Sequence, residues 1–544
     1  MQKSPLHQQG GGSLGGSEMT SIGDVEDGGM SRASASRQSL SELHDKGEKV
    51  HACTLRCNNL NYHAGSGEKQ KHILHNVNAT FSPGEIVAVM GPSGSGKTTL
   101  LSCLSGRASG RIVGNVTVNG HPMNLQMFRK LGNFVPQLDI LDEGFTSAEV
   151  LYYVVKLRLN QEDWPQYKVD KHVNQIFKDL GLAEHKDVIV GGANTKGLSG
   201  GQKKRLSIAM ELVNNPSLLF LDEPTSGLDS RTAKDIVGVT KALTHKYGIA
   251  TMCVIHQPPE QAFLSFDKLV LLQKGRVCFF DKPADVTKFL EQHAGPIPAR
   301  ENPADWMFDV LQESVKEEGT KEPPYAEFWK KHLEESQRTS NLVVAGNSTE
   351  DLADFSYEVP QWKAAVVVFN RAVYSKFKDA DGFLKNLKLA IGVGVLLGLT
   401  FYDLENTQAK YTIRVAAIFM GIVYSGLVTT SKTLIKVPVE KALVVREYQN
   451  GYYSLPAWYI GSSLATIVLQ TLTGIAFTIP FYFLAGFQTN FGIFLVTMVI
   501  MVCIGSTFGL FLGIFANDAQ SAQALLTPAM MPLMIFCGFL IPYG

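Results

Sequence analysis

One uncharged stretch constrains the fold of this chain more than any other feature of its sequence. From Gln449 to Asn517 the chain contains no Asp, Glu, Lys or Arg. A soluble domain cannot keep so long an apolar segment in water, whereas a helix that crosses the hydrocarbon core of a bilayer needs about 20 apolar residues. The sequence therefore predicts an all-α, polytopic membrane domain in the C-terminal part of the chain.

The apolar residues of this domain fall into five segments that are each long enough to cross a bilayer. The predicted spans are residues 383–402, 413–434, 455–485, 491–515 and 522–542. The loop between the second and third spans has more basic than acidic residues, and basic loops stay on the cytosolic side. Its charged residues include Lys432, Lys436, Lys441 and Arg446 against Glu440 and Glu447. We therefore expect this loop, and the soluble part of the chain with it, to be cytosolic.

The remainder of the chain has the composition of a soluble protein. The whole chain has 50 basic and 50 acidic residues. Because its net charge is zero, no overall positive charge favours nucleic acid as a partner. From about His51 to Gly295, strand-like runs alternate with helix-like segments, a pattern typical of an α/β domain around a mostly parallel sheet. Residues 1–50 are rich in Gly and Ser, which predicts a disordered tail.

One segment of the α/β domain has a phosphate-binding motif. Residues 91–98, which we call the phosphate loop, read Gly-Pro-Ser-Gly-Ser-Gly-Lys-Thr and follow the strand-like run Ile86–Met90. In such a loop, backbone N–H groups turn inward around a polyphosphate, Lys97 neutralises the β- and γ-phosphates and Thr98 ligates Mg²⁺. A glycine-rich turn that carries a lysine by chance is the alternative. The predicted nucleotide-contacting residues are Gly91, Ser93, Gly94, Ser95, Gly96, Lys97, Thr98 and Thr99.

Two carboxylates predict the chemistry of this site. Asp222 and Glu223 end a strand-like run at residues 218–221; Asp222 suits the Mg²⁺ shell, and Glu223 suits polarising the water that attacks the γ-phosphate. Gln137 could reach Mg²⁺ or that water, and His256 could hydrogen-bond the γ-phosphate. Taken singly, paired carboxylates more often lie in a solvated turn, and a lone glutamine or histidine more often has a structural role.

Two other groups complete the predicted nucleotide site. The residues Ser199, Gly200, Gly201 and Gln202 open a helix-like segment, where free backbone amides and a hydroxyl favour a second phosphate contact. Tyr62, upstream of the phosphate loop, is placed to stack on an adenine. An ordinary surface aromatic is the alternative for Tyr62.

Taken in chain order, these motifs resemble the nucleotide-binding domain of ATP-binding-cassette (ABC) proteins, in which Leu-Ser-Gly-Gly-Gln lies between the phosphate loop and Asp-Glu-Pro-Thr-Ser-Gly-Leu-Asp. The resemblance implies that two cassettes pair head to tail, so that Ser199 and Gly201 of one subunit close over ATP bound at Lys97 of the other. Because the chain has one cassette, the resemblance implies a homodimer or a heterodimer with another half-transporter.

A second resemblance narrows the family. Residues 302–307, Asn-Pro-Ala-Asp-Trp-Met, are similar to a segment of the G (White-type) subfamily of ABC transporters, which also places the cassette before the membrane domain. In that subfamily a short helix after the second span transmits cassette motion, and residues 440–455 resemble this region; a plain basic loop is the alternative. The subfamily has six spans, so we expect this chain, with five, to lack the last one.

The predicted organisation is an α/β P-loop nucleotide-binding domain over residues 51–300, a linker and connecting helix over 301–380, and a membrane domain over 381–544. Within the linker, Gln361–Lys378 predicts an amphipathic helix at the inner membrane face or a solvated connector. Two helical faces could line an apolar slot for cargo, although contact with lipid or helix packing is the alternative. The slot residues are Phe419, Met420, Tyr424, Leu427, Leu464, Ile467, Val468 and Thr471.

The resemblance implies an ATP hydrolase that uses ATP and Mg²⁺ to export a hydrophobic or amphipathic substrate, such as a lipid, a sterol, a pigment precursor or a xenobiotic. We expect it in the plasma membrane or an intracellular vesicle membrane, with no nucleic acid partner. The alternative is a membrane-anchored ABC ATPase that regulates a partner and moves no cargo of its own.

Overall fold

A computed structural model describes residues 52–535 except 66, 68–69, 193–194, 299–301, 318–322, 340–354 and 405–406. The predicted disordered tail, residues 1–50, lies outside the described residues, as does the end of the fifth predicted span. All of the described residues belong to one compact unit.

The described strands form two sheets. One is antiparallel with the order β2-β1-β4-β5, and the other has the order β10-β9-β3-β8-β7-β6, in which all neighbours are parallel except β10 and β9. The strands are β1 Leu55–Ala64, β2 Lys71–Phe81, β3 Ile86–Met90, β4 Arg111–Val118, β5 His121–Pro122, β6 Gly132–Val135, β7 Leu218–Asp222, β8 Ala250–Val254, β9 Lys268–Gln273 and β10 Arg276–Asp281. Strands β3 and β8 are buried along their whole length, as expected of central parallel strands covered on both faces.

This topology brings the predicted motifs to one edge of the sheet. Four parallel neighbours, β3, β8, β7 and β6, end at the same edge, where ligands bind in open α/β sheets. The residues that follow these strands include the phosphate loop after β3, His256 after β8, Glu223 after β7 and Gln137 after β6. Motifs that are far apart in the sequence are therefore neighbours in the fold.

Helices cover both faces of the parallel sheet and continue beyond it. They are α1 Lys97–Leu104, α2 Leu125–Leu131, α3 Ser147–Arg158, α4 Gln166–Asp179, α5 Gly200–Leu212, α6 Ser230–Tyr247, α7 Glu260–Phe263, α8 Pro283–Ala294, α9 Pro303–Glu317 and α10 Pro324–Thr339. One apolar core lies between the two sheets, and a second lies under α3 to α6. Helix α6 shows the local signals well, because Asp229 caps its start and Gly248 ends it in the left-handed conformation.

The C-terminal part is helical. Its helices are α11 Gln361–Lys378, α12 Ala380–Thr400, α13 Tyr411–Gln449, α14 Leu455–Ala485, α15 Phe491–Gly513 and α16 Ala519–Ile535. Within the described residues, α12 to α15 are long and apolar enough to cross a membrane, and they lie at the first four predicted spans. Helix α16 covers the beginning of the fifth predicted span, so the number of spans stays a prediction.

Helix α13 differs from the prediction. We expected the second span to end near residue 434 and either a short helix or a basic loop to follow, but α13 is continuous for 39 residues, through Pro438. At 1.5 Å per residue it is about 58 Å long, roughly twice the hydrocarbon thickness of a bilayer. The basic residues after 434 therefore belong to the same helix as the second predicted span and do not mark its end.

Three glycines of α15 let it approach α13 closely. An added Cβ would lie 2.1 Å from Thr429 Oγ1 at Gly505, 2.5 Å from the Thr430 carbonyl oxygen at Gly509 and 2.7 Å from Val437 Cβ at Gly513. Small residues spaced by four are a common basis for helix association in lipid, where no hydrophobic force drives helices together. The spacing of these glycines thus fixes which face of α15 packs on α13.

Candidate nucleotide site and its link to the membrane helices

The phosphate loop owes its shape to glycine. Gly91, Gly94 and Gly96 have φ values of 154°, 77° and 99°, which residues with a Cβ rarely adopt. A Cβ at Gly91 would also lie 2.1 Å from the carbonyl oxygen of Leu272. The loop therefore depends on glycine both for its backbone angles and for its close approach to the end of β9.

Two side chains of this loop fit a bound polyphosphate. Lys97 is only 7% exposed, and its Nζ donates to the carbonyl oxygens of Gly91 (2.8 Å) and Pro92 (3.0 Å). Burial lowers the pKa of Lys97, and the carboxylates of Glu223 and Asp222 act in the opposite direction. Ser95 Oγ is buried and has no hydrogen-bond partner within the described part of the chain. A buried hydroxyl without a partner is costly, and a phosphate oxygen would satisfy it.

Thr98 and Asp222 bring together oxygen ligands of the kind that hard divalent cations take. The Oγ1 of Thr98 lies 3.5 Å from Oδ1 of Asp222, too far for a strong direct hydrogen bond. Burial raises the pKa of Asp222, and the neighbouring Glu223 carboxylate raises it further. A cation between these oxygens would relieve both effects.

The structure brings Gln137 and Glu223 into contact. Gln137 Nε2 donates to Glu223 Oε2 at 2.7 Å, and the Glu223 backbone N–H donates to the carbonyl oxygen of Val254 at 2.9 Å. Glu223 has a φ of 46°, in the left-handed region that is uncommon for residues other than glycine. Such strained positions cost about 1–3 kcal/mol and persist only where the surroundings hold them. Glu223 is thus held at the sheet edge by one hydrogen bond from its backbone N–H and another to its carboxylate.

His256 is exposed and is supported by the segment at residues 302–307. Its ring stacks on Phe308 of α9, with 6.0 Å between ring centroids and 15° between planes. Asn302 caps α9 by accepting from the Ala304 N–H at 3.1 Å, and its amide nitrogen lies 3.5 Å from the carbonyl oxygen of Pro258. The segment therefore positions the loop that holds His256.

Tyr62 is the predicted site residue with the least support from the geometry. It is 8% exposed, belongs to the core between the two sheets and accepts a 3.2 Å hydrogen bond from the Gly110 N–H through its hydroxyl. Stacking on an adenine needs an uncovered ring face. The sequence position of Tyr62 agreed with that role, but its side chain points into the core.

The Ser199–Gln202 segment forms the start of α5. Ser199 Oγ accepts from the Gln202 N–H at 3.3 Å, and Gln202 Oε1 accepts from the Ser199 N–H at 2.9 Å, which makes a capping box. Ser199 and Gly200 are exposed, whereas Gly201 packs on Thr232. Among the described residues, no hydrogen bond or ion pair joins this segment to the phosphate loop of the same chain.

Sequence reasoning missed Glu211, in the last turn of α5. Its side chain is 0% exposed and binds two guanidinium groups, Arg446 at 3.1 Å and Arg158 at 3.2 Å, while the Tyr452 hydroxyl donates to it at 3.0 Å. Arg446 and Tyr452 belong to the end of α13 and the turn after it. The sequence signal for this network was a single acidic residue inside the apolar run 208–213. An acidic residue in such a run is expected to be buried, and a buried acid needs a partner.

The same turn also contacts the strand that leads to Gln137. The side chain of Asn450 donates to the carbonyl oxygen of Phe134 at 3.1 Å and accepts from Arg107 at 2.5 Å. A second ion pair, between Arg371 of α11 and Glu447 of α13, is bidentate at 2.6 and 3.0 Å. That pair lies within the helical part, whereas Arg446, Asn450 and Tyr452 join the helical part to the α/β part.

Comparisons with known proteins agree with this arrangement. Residues 74–226 match the family model described as "ABC transporter", and residues 364–544 match "ABC-2 type transporter". ABC transporter G family member 26 of Arabidopsis thaliana is 30% identical over 503 residues, which cover 87% of this chain and 72% of the relative. The chain belongs to the ABC transporter G family.

Other G-family relatives match over similar lengths. ABC transporter G family member 21 of Arabidopsis thaliana is 28% identical over 94% of this chain and 80% of its own length. Protein white of Ceratitis capitata is 29% identical over 87% of this chain and 72% of its own length. The predicted resemblance to the G (White-type) subfamily is therefore confirmed.

Membership of the G family confirms the coarse functional prediction. The chain is a half-transporter whose nucleotide-binding domain, the cassette, precedes its membrane domain; it binds ATP, and its ATPase activity is coupled to transport. It is an integral membrane protein of a family whose half-transporters typically dimerise. The predicted fold class, an α/β nucleotide-binding domain followed by a helical membrane domain, is also confirmed.

Proposed function

We propose that two such chains, or this chain and a related half-transporter, bind ATP between the phosphate loop of one cassette and the Ser199–Gln202 segment of the other. The observation that carries this proposal is the exposed start of α5, a positive helix end that, within the described part of the chain, has no hydrogen bond or ion pair with its own phosphate loop. A second copy would supply the missing half of each site.

Within each site we assign roles as follows. Lys97, Ser95 and the amides of the phosphate loop bind the phosphate oxygens, while Thr98, Asp222 and Gln137 hold Mg²⁺. Mg²⁺ would neutralise charge on the phosphate oxygens during transfer. Glu223 accepts a hydrogen bond from the attacking water, and His256 donates to the γ-phosphate. The 2.7 Å contact between Gln137 and Glu223 supports a shared water position, because both side chains reach the same point at the sheet edge.

Helix α5 connects nucleotide binding to the membrane helices in this proposal. It starts at the Ser199 segment and ends beside Glu211, about 20 Å away at 1.5 Å per residue. Lys204, in its second turn, donates to the carbonyl oxygen of Gln137 at 2.8 Å and pairs with Asp139 at 2.9 Å. When a second cassette closes on Ser199, α5 moves as a rigid body. The ion pair between Glu211 and Arg446 then transmits this movement to α13.

We further propose that the cargo is hydrophobic or amphipathic and is exported through a slot between the two membrane domains. Met420 and Leu464 are 48% and 51% exposed, which is the exposure a shared slot would require. Tyr424 instead packs on Phe477 at 4.5 Å between ring centroids, so we leave it out of the slot. We place the cassette in the cytosol, with the plasma membrane or a vesicle membrane as the location.

A complementation experiment tests the composite site. A Lys97→Met copy and a Ser199→Arg copy, carrying different affinity tags, are co-expressed, and mixed dimers are purified through both tags. If the sites are shared, each mixed dimer has one site built entirely from wild-type residues and binds one ATP, whereas neither mutant homodimer binds it stably. If each chain forms its own site, the mixed dimers bind no ATP, and the proposal is wrong.

A reconstituted transport assay separates the proposed exporter from a regulatory ATPase. Liposomes that contain the purified dimer are supplied with ATP and fluorescent lipid or sterol analogues, and Glu223→Gln dimers serve as the matched control. ATP-dependent movement that the control lacks supports export. Hydrolysis without cargo movement or cargo stimulation favours the regulatory alternative.

A further inference from the structure

A cavity of about 490 Å³ lies where α11, α12, α13 and α14 meet near the cassette. Along α13, Lys432 and Lys436 line this cavity about 21 and 15 Å before Arg446, which contacts the cassette. The uncharged part of α13 lies on the other side of Lys432. The cavity is therefore at the level where the apolar layer of a bilayer gives way to its head groups on the cassette side.

The cavity has apolar walls and a basic rim. Val368, Phe383, Trp458 and Leu469 contribute to the walls. The rim consists of three lysine side chains from two helices, one from α11 and two from α13, and all three line the cavity. We call Lys376, Lys432 and Lys436 the lysine rim. An amphipathic lining of this kind matches a ligand with an anionic head and an apolar body.

Two of the three lysines have no partner among the residues that the structure describes. Lys436 Nζ donates to Thr466 Oγ1 at 2.7 Å and to Ser462 Oγ at 3.0 Å, and it lies 3.6 Å from Glu440. Lys376 and Lys432 form no hydrogen bond or ion pair with any residue that the structure describes. Both side chains are exposed at the opening of the cavity, where two unpaired positive charges attract an anion.

The carboxylates that line the cavity are engaged elsewhere. Asp142 lies 4.0 Å from Arg371 Nε, Asp379 caps α12 by accepting from the Gly382 N–H at 3.2 Å, and Glu440 faces Lys436. Arg371 itself is held by the bidentate pair with Glu447. The acidic groups around the cavity thus neutralise Arg371 and Lys436 but leave Lys376 and Lys432.

We infer that this cavity binds an anionic phospholipid from the leaflet on the cassette side, with its phosphate on the lysine rim and an acyl chain along the apolar walls. The site is distinct from the proposed cargo slot, because none of the slot residues named above lines this cavity. A soluble phosphate compound shares the head-group chemistry, but it would leave the apolar walls in contact with water. Attraction of basic residues to anionic lipids is worth about a factor of five in affinity per lysine.

Three probes that differ by one feature each test this inference on the delipidated, full-length protein by native mass spectrometry. Dioctanoyl phosphatidic acid has the charged head and the chains, dioctanoyl phosphatidylcholine has the same chains without net charge, and glycerol 3-phosphate has the head without chains. We expect phosphatidic acid to bind at least tenfold more tightly than either of the others. Equal binding of the two lipids, or equal binding of glycerol 3-phosphate and phosphatidic acid, would overturn the inference.

Substitutions locate the binding. The double variant Lys376→Gln, Lys432→Gln should weaken phosphatidic acid binding about 25-fold, from a factor of about five for each lysine. The matched control, Lys385→Gln with Lys388→Gln, removes two exposed lysines of α12 that do not line the cavity, and it should change binding less than twofold. Equal losses in the two variants would mean diffuse attraction to charge and would refute a defined site. Thermal unfolding of both variants verifies that each remains folded.

Discussion

Replacing Glu211 by glutamine should destabilise the protein far more than the loss of one ordinary charge. Both carboxylate oxygens are used: Oε1 accepts from Arg446 and Tyr452, and Oε2 accepts from Arg158. Glutamine keeps the shape of the side chain, but its amide nitrogen would face a guanidinium group, so that two donors would point at each other. It would also leave two buried cations without their anion.

The magnitude follows from the burial of the group. The side chains of Arg158 and Arg446 are each 4% exposed. Removing one partner from a buried ion pair costs about 3–5 kcal/mol, whereas an exposed pair is worth about 0–1 kcal/mol. For a unit of 150–250 residues, 1 kcal/mol corresponds to about 2–4 °C, so we expect the cassette to unfold about 6–20 °C below the wild type.

Thermal unfolding of the detergent-purified protein measures this effect, with Asp235→Asn as the control. Asp235 forms an ion pair with Arg205 in the same cassette at 4.0 Å, and its side chain is 51% exposed, so its loss should shift unfolding by at most a few degrees. If Glu211→Gln unfolds at the same temperature as Asp235→Asn, then the buried network does not hold the cassette to α13. At a temperature where the variant is folded, we also expect ATP turnover to persist while cargo movement falls.

Three further substitutions examine the nucleotide site. Glu223→Gln should keep ATP binding and lower phosphate release about 100- to 10,000-fold, the usual contribution of a general base; unchanged turnover would remove Glu223 from the mechanism. Gly91→Ala should abolish ATP binding, measured with a fluorescent analogue, because its Cβ would lie 2.1 Å from the Leu272 carbonyl oxygen; retained binding would show that the loop adapts. Phe308→Leu removes the ring that stacks on His256, so hydrolysis should fall while ATP affinity stays within about twofold; an equal loss of both would indicate general damage to the cassette.

The nucleotide site was the part most accessible to sequence reasoning. Its motifs follow short apolar runs, and parallel strands bring their carboxyl ends to one edge. For this reason the juxtaposition of the phosphate loop, Glu223 and Gln137 could be expected before any geometry was known. Tyr62 could not be placed in the same way, because a tyrosine in a strand faces either the surface or the core. The residues around Tyr62 in the sequence do not decide between these two orientations.

The link between the two parts of the chain was harder to predict. The excess of basic residues after residue 434 predicted a cytosolic loop, but these residues are also good helix formers, and α13 continues through them. Glu211 is 235 residues away from Arg446 and 241 residues away from Tyr452 in the chain. A buried acid indicates that a partner exists without indicating which residue it is.

The unbroken length of α13 makes it a lever. Near its cassette end, Arg446 of α13 is bound by Glu211. The opposite end of the helix is about 58 Å away. If the helix pivots by about 5°, its far end sweeps about 5 Å, roughly half the 8–10 Å that separates the axes of packed helices. A modest closure of the cassettes could then be magnified into a gap between membrane helices on the opposite side of the bilayer.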